Sequence, residues 1–368
     1  MKFIKGGNLA KLVAFFLIVT ILTCTVAFAS GGWQSFTEGD SDSDDIAGGV
    51  IPPDGNVDEN TDGNNGVTPP PQEEPAPVFT HYLTGLTVTA EEAARAPLAF
   101  IYSSTDPIYG LSYAFLTVEI PTEDGKTRLL GVTTGSDYIG KIGSIAPSRD
   151  YINAVAKRLG ITLIHKGNDD SFTYSDVEFP TLDLTVHGGY SYTEYTEYHY
   201  TNSDLVSALF KNTATSSAKD PSVLAPFTFS SATVRGDKSA STVVIPYAEG
   251  NETSLIYDAA TSTYTLYKSS GAIKDLLNDK SCNYANAFVL YANSTTYETQ
   301  DATETVIDTV SGGVGYYFTM GTVQRISWIS DGGNLVFLDE DGQRLAVNCG
   351  TTYIAFERAS KINNTTYN

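Results

Sequence analysis

Apolar and polar positions follow two different periods along this chain. Between residues 143 and 170, Tyr151, Ile152, Val155 and Leu159 recur at the spacing of one helical face. Pro147 and Ser148 break what precedes, and Ser148 is the residue expected to cap the helix. Lys157 and Arg158 fall in the last turn and Gly160 stops it, as the helix dipole and a left-handed cap favour. The apolar strand Ile161–His165 follows at once, and Lys166-Gly167-Asn168-Asp169 turns away. A helix feeding a buried strand predicts a layered α/β unit.

Around this unit the pattern predicts a helical turn over Ala90–Arg95 and strands over Pro97–Tyr102, Tyr113–Ile120, Thr127–Thr133 and Leu182–Val186. Asn202 or Ser203 caps a second helix, with Leu205, Val206, Leu209 and Phe210 as its buried stripe. After residues 212–223, read as a linker, the helical period nearly vanishes apart from a weak turn near Ala272–Leu277. Strands are expected at Thr242–Ile245, Thr253–Tyr257, Thr263–Tyr267, Asn286–Tyr291, Val314–Met320, Thr322–Ile329, Leu335–Leu338, Arg344–Val347 and Thr351–Phe356. Short strands separated by turn chemistry argue an antiparallel β region. The expected fold class is α+β: an N-terminal layered α/β domain over 79–211, then a β-rich antiparallel C-terminal domain over 224–360. Residues 361–368 read as a disordered tail.

Composition changes the picture mainly at the N-terminus. The formal net charge of −21, from 43 acids and 22 bases, argues against nucleic acid as a partner. Residues 30–78 hold eleven Asp or Glu and no Lys or Arg, and read as a disordered acidic spacer rich in Pro, Gly, Asp and Asn. Within it Asp58, Asn60, Asp62 and Gly63 match the start of an EF-hand loop, but Pro69 stands where a bidentate Glu is required. Residues 1–29 read as a signal peptide or membrane anchor: Lys2, Lys5 and Lys11 precede the apolar run Leu12–Leu22. Three endings fit: cleavage after Ala27-Phe28-Ala29, lipidation at Cys24 through a poor lipobox, or retention as an anchor. Each places the folded part outside the cytoplasm, with the membrane reached only through this segment. Cys282 and Cys349 either form a disulfide or remain two buried free thiols.

Several segments resemble a known family. Glu119-Ile120-Pro121-Thr122-Glu123-Asp124-Gly125-Lys126-Thr127-Arg128 is similar to the E-x-x-x-E-G-G-x-T-R segment of YerB-like lipoproteins, a two-domain bacterial family of unknown function. Gly143, Arg149 and Tyr151 match that family's G-P-V-R-S-A-R-x-Y run. Gly313–Phe318, Ile326-Ser327-Trp328, Asp341-Gly342 and Gly350–Ile354 follow its C-terminal pattern in order. The resemblance covers roughly residues 80–360 and implies an envelope-anchored extracytoplasmic protein, with no established reaction. The chain departs from the pattern at Ala146 and Pro147, where the family carries Arg and Ser, and at Glu197, where it carries His. A second-domain G-x-P-H-x-D segment reads Gly271-Ala272-Ile273-Lys274-Asp275, again without His.

Candidate chemistry is sparse. Glu119 and Glu123, with Asp150, are the carboxylates available to a cell-wall glycan hydrolase or transferase, although Glu119 and Glu123 equally suit an edge strand and a solvated turn. Arg128 and Arg149 beside a helix N-terminus suit an anion, or form structural ion pairs. His165 ends a strand, where α/β folds often place sites, and is equally a buried hydrogen-bonded imidazole. Glu119, Arg128, Arg149 and His165 are therefore the expected ligand-binding set. No His or Cys pair has zinc-site spacing, and no phosphate-binding loop or dinucleotide fingerprint occurs, so neither metal nor cofactor is expected. The run Tyr190, Tyr192, Tyr195, Tyr198, Tyr200 reads as strand residues or as a glycan-binding lip. The reading is an envelope protein that binds a cell-wall polymer or another envelope protein, without catalysing a reaction.

Overall fold

The strand alternation and the two apolar helical stripes assemble into an α+β fold in which strand dominates. The computed structural model describes residues 77–122, 125–135, 137–167, 181–194, 197–213, 225–298 and 303–368. The segment expected to be a signal or anchor, with Cys24, the expected acidic spacer up to residue 76, Glu123, Tyr195 and residues 214–223 of the expected linker lie outside the described residues.

The first principal elements are helix α1 (Ala90–Ala94), strands β1 (Leu98–Ser103), β2 (Leu116–Pro121) and β3 (Thr127–Thr133), helix α2 (Asp150–Leu159), strands β4 (Thr162–His165) and β5 (Thr181–Asp183), and helix α3 (Ser203–Thr213). Then come β6 (Lys238–Ser239), β7 (Thr242–Ala248), β8 (Asn251–Asp258), β9 (Thr263–Lys268), β10 (Asn286–Ala292) and β11 (Gly313–Thr319). The last are β12 (Thr322–Asp331), β13 (Asn334–Leu338), β14 (Thr352–Arg358) and β15 (Thr366–Tyr367).

One mixed sheet of eleven strands carries the architecture, in the order β6-β12-β11-β10-β14-β2-β3-β1-β4-β5 with β13 added to β12. Strand β14 lies parallel to both β10 and β2, so strands from before and after residues 212–223 share this sheet. A second sheet, centred on the antiparallel β7, β8 and β9, packs against one face. Its Val243, Ile245, Tyr247, Leu255, Tyr264 and Leu266 join Tyr102, Leu129, Val289 and Tyr353 in one core, with Val206 and Leu209 of α3. On the opposite face Tyr151, Ile152, Val155 and Leu159 of α2 join Ile101, Ile120 and Leu163, and Phe337 and Trp328 extend this core.

Local chemistry accounts for the element boundaries. Thr89 and Glu92 make a capping box at α1. Gly160 closes α2 in the left-handed conformation, its N–H donating to the Ala156 and Lys157 carbonyls. Ser148 does not cap α2: Arg149 occupies that position, and the Ser148 hydroxyl donates to Asn153 Oδ1 at 2.7 Å. At α3 the cap is Asn202, whose Oδ1 accepts from Leu205 N at 2.9 Å. Strand β2 starts only at Leu116, because Leu111–Tyr113 forms a 3-10 turn. Strand β5 ends at Asp183, whose carboxylate accepts from the Thr185 N–H and hydroxyl and turns the chain. The weak turn near Ala272–Leu277 is two short strand segments, Gly271–Ala272 and Lys274–Asp275. The C-terminal residues are no loose tail: β15 pairs with Val243 and Val244, and Lys361 Nζ donates to the Pro246 carbonyl at 3.1 Å.

Cys282 and Cys349 are free thiols, not a bridge, and only Cys282 is buried, so the expected alternatives both need correcting. Burial, helped by Asp275, pushes the Cys282 thiol up to about 12, which suppresses its thiolate. Alkylation of the native, unreduced protein is expected to modify Cys349 readily and Cys282 only after unfolding. Peptide mass mapping reads this directly, and protection of both thiols until reductant is added contradicts it.

Candidate functional site

Strand pleat decides which side chains share a surface. On β1, Ser103 points to the α2 face with Ala99 and Ile101, while Tyr102 points to the second sheet. In the β2–β3 hairpin Glu119 stands opposite Leu129, and Arg128 stands opposite Ile120 and Ser103. Arg128 therefore shares the α2 face with Ser103, and Glu119 takes the other face.

The C-terminal ends of the parallel β1 and β4 come together beside the N-terminus of α2. Residues 144–148 lie along this edge and are sewn to it by backbone bonds: Ala146 N to Ile101 O at 2.8 Å, Lys166 N to Ala146 O at 3.2 Å and Ser148 N to Gly167 O at 3.1 Å. Short strand Ile142–Gly143 pairs with His199–Thr201. Gly143 has φ near +139°, and a Cβ there would meet the His199 carbonyl oxygen at 2.8 Å, so only glycine allows this close approach. Ile145 N then donates to His199 O at 2.8 Å. His199 and its neighbours are thereby held over the sheet edge.

The result is an open pocket of about 140 Å3. Arg128 and Lys166 supply two cations, Asp106 and Glu197 two carboxylates, and His199 an imidazole. Ser144, whose hydroxyl donates to Asp106 Oδ2 at 3.3 Å, Tyr198, Ala146 and Pro147 complete the wall. Burial first, then the charge of Lys166, hold the His199 imidazole below its ordinary range, so the ring is neutral at pH 7.

Of the four expected ligand-binding residues, Arg128 alone lines this pocket. His165 is buried behind it and shares a hydrogen bond of 2.9 Å between Nδ1 and the Gly167 carbonyl. Burial lowers its pKa, so the neutral ring donates from Nδ1. Gly167 N in turn donates to Asp183 Oδ1 at 2.8 Å. Burial alone would push the Asp183 carboxyl up, but the Gly167 and Thr185 donors outweigh it and hold it low. His165 and Asp183 thus fix the turn that presents Lys166. Arg149 is buried at the α2 N-cap, donates from Nη1 to the Ser148 carbonyl at 3.1 Å, and stands outside the pocket. Asp150 is exposed in the first turn of α2, where partial desolvation raises its pKa.

Glu119 is the clear departure from the expected set. It is fully buried between the sheets, accepts from Thr253 Oγ1 at 2.9 Å and from the Tyr353 hydroxyl, and is ion-paired with Lys268. The hairpin register sends it away from Arg128. The tyrosine run is largely structural: Tyr200 is buried edge-on to Tyr109 with the Lys141 ammonium 4.0 and 4.1 Å from the two ring centres. Among its described members only Tyr198 lines the pocket.

Ala146, Pro147 and Glu197, three of the departures from the YerB-like pattern, line the same pocket, whereas the departure at Gly271–Asp275 lies outside it. Comparison with known families agrees with that resemblance. The N-terminal domain of DUF3048, a protein of unknown function, matches residues 83–212, and the C-terminal domain of DUF3048 matches residues 243–354. The chain belongs to the DUF3048 family. The crystal structure of the YerB protein from Bacillus subtilis is similar to it, with a TM-score of 0.69 and 20% identity over 79% of this chain and 99% of that one. At that identity the likeness is one of fold. The comparison with curated proteins finds no match. Lys166, Asp106 and His199 reach the pocket without having been expected there. Lys166 read only as part of a turn, and Asp106 depends on pairing between strands distant in sequence.

Proposed function

We propose that this DUF3048 member is an extracytoplasmic envelope protein, secreted or anchored to the outer face of the membrane, that binds through the pocket at Arg128 without catalysing a reaction. One observation carries this: a single open pocket sets the cationic side chains of Arg128 and Lys166 against the carboxylates Asp106 and Glu197. A charge-balanced lining suits a ligand bearing both charges, and neutral His199 adds a donor and an acceptor. The peptide portion of a cell-wall polymer, with its carboxylate and amine ends, has that chemistry. The leader and acidic spacer read in the sequence support an envelope location. Of the described carboxylates behind the hydrolase reading, Glu119 is sealed between the sheets and Asp150 lies off the pocket.

Purified peptidoglycan is expected to retain the protein in a pull-down, and a soluble muropeptide to compete where peptide-free glycan strands do not. Arg128→Ala is expected to weaken muropeptide binding at least about tenfold, as loss of a charge-assisted contact implies. Retention by neither peptidoglycan nor envelope proteins removes the reading.

A further inference from the structure

A second pocket, of about 320 Å3, opens on the other side of the same sheet edge. Segment 103–106 supplies Ser103 and Asp106 to the pocket at Arg128, and Ser104 and Thr105 to this one. The opposite wall comes from the β7–β8 turn and the end of β9. The junction is tight rather than loose. At Gly125, with φ near +68°, an added Cβ would meet Ala248 Cβ at 2.4 Å, and Asn251 Nδ2 donates to the Gly125 carbonyl at 2.5 Å.

The floor holds Lys268, with a side chain only 9% exposed. An ammonium has three donors. One is taken by Glu119; the remaining contacts are long, 3.4 Å to Thr127 Oγ1, 3.5 Å to Asn251 Oδ1 and 5.3 Å to the centre of the Tyr247 ring. A buried cation with two poorly used donors borders an open cavity. Lys126 adds a second cation at the rim; among the described residues the lining holds one carboxylate, Glu249, and Glu119 is paired to Lys268 beneath it. The rest of the lining is small and polar, chiefly Ser104, Thr105, Asn251, Ser269 and Ser270, with no aromatic ring for a base to stack on.

We infer that this pocket binds a phosphate-bearing polyol or sugar. Lys126 acts as a point charge toward a phosphate and Lys268, already paired with Glu119, adds ammonium donors, whereas the described lining has no arginine to offer the planar fork that favours a carboxylate. The serine, threonine and asparagine side chains match the hydroxyls of a polyol. A repeating polyol-phosphate polymer and a free sugar phosphate share this chemistry, and the experiment separates them.

Titration calorimetry of the full chain with glycerol 3-phosphate is expected to show saturable binding, with glycerol giving none. Lys126→Gln, on an exposed turn, is expected to weaken binding about tenfold with an unchanged melting temperature. Ser270→Trp, which crowds the cavity, is expected to weaken it further. A glycerol-phosphate oligomer binding more tightly per chain than the monomer identifies a polymer source, and equal affinity identifies a free metabolite. Absence of saturable binding overturns the inference, as does binding that both variants leave intact. Inorganic phosphate binding as well as glycerol 3-phosphate overturns the polyol assignment. The muropeptide probe reads the pocket at Arg128 separately, so failure of one site is distinguishable from failure of the other.

Discussion

Glu119→Ala is expected to destabilise the protein by about 3–5 kcal/mol in urea unfolding, the range for breaking a buried ion pair from one side. Its partner Lys268 is nine-tenths buried, and removing the carboxylate strands an ammonium between two sheets. Tyr353 and Thr253 lose their acceptor at the same time. Lys268→Met strands the carboxylate instead and is expected to cost a similar amount. The double variant should lose much less than the sum, because the remaining side chains leave no unpaired charge. Additive losses across this cycle contradict the pairing. A loss below about 1 kcal/mol for either single variant, the level of an exposed pair, contradicts the burial.

Stability at Glu357 is expected to fall as pH rises. This residue is fully buried on β14, where Oε1 accepts from Arg358 N at 2.7 Å and Oε2 has no partner among the described residues. Burial pushes its carboxyl from an ordinary value of 4.5 up to about 7, against the smaller pull of the Arg358 N–H and of Lys361 and Arg358. Between those values the folded state holds a proton that the unfolded state has released. The contribution is therefore fully present below pH 4.5 and is lost as pH rises to about 7. The shift corresponds to roughly 3 kcal/mol. Glu357→Gln stays neutral, so it should match the wild type near pH 4.5 and exceed it by about that amount at pH 8. Carboxylates such as Asp183 and Asp308 have lowered pKa values and tilt the whole protein the other way. The difference between wild type and variant across pH is thus the quantity to measure, and a flat difference contradicts the prediction.

Local chemistry was readable and long-range pairing was not. The stripe over Tyr151–Leu159 with Gly160 delivers α2 at its expected place, and Thr127–Thr133 is a strand over its whole expected length. These signals depend on neighbours within a turn or a pleat. Glu119 and Arg128 looked like one cluster because they share a motif, yet opposite faces follow from a hairpin register that pairs 119 with 129. Register across a turn depends on how many residues the turn absorbs, which composition does not report. The pocket at Arg128 likewise needs Asp106, Lys166 and His199 from three separated segments. Each carries too little local signal to be recognised alone. Arg149 and His165 are buried beside the sheet edge and support the pocket's walls instead of facing a ligand.

The position of β14 has a consequence for the order of folding. Residues 352–358 fill the gap between β10 and β2, pairing in parallel with both. Those residues follow both partners along the chain, so until they dock β2 and β10 each present an open row of backbone donors and acceptors. Such edges invite pairing with other chains, and the sequence distance between partners makes their closure slow. The folding chain is therefore most vulnerable to aggregation before β14 is in place. A chain ending before residue 352 would keep both edges unsealed permanently.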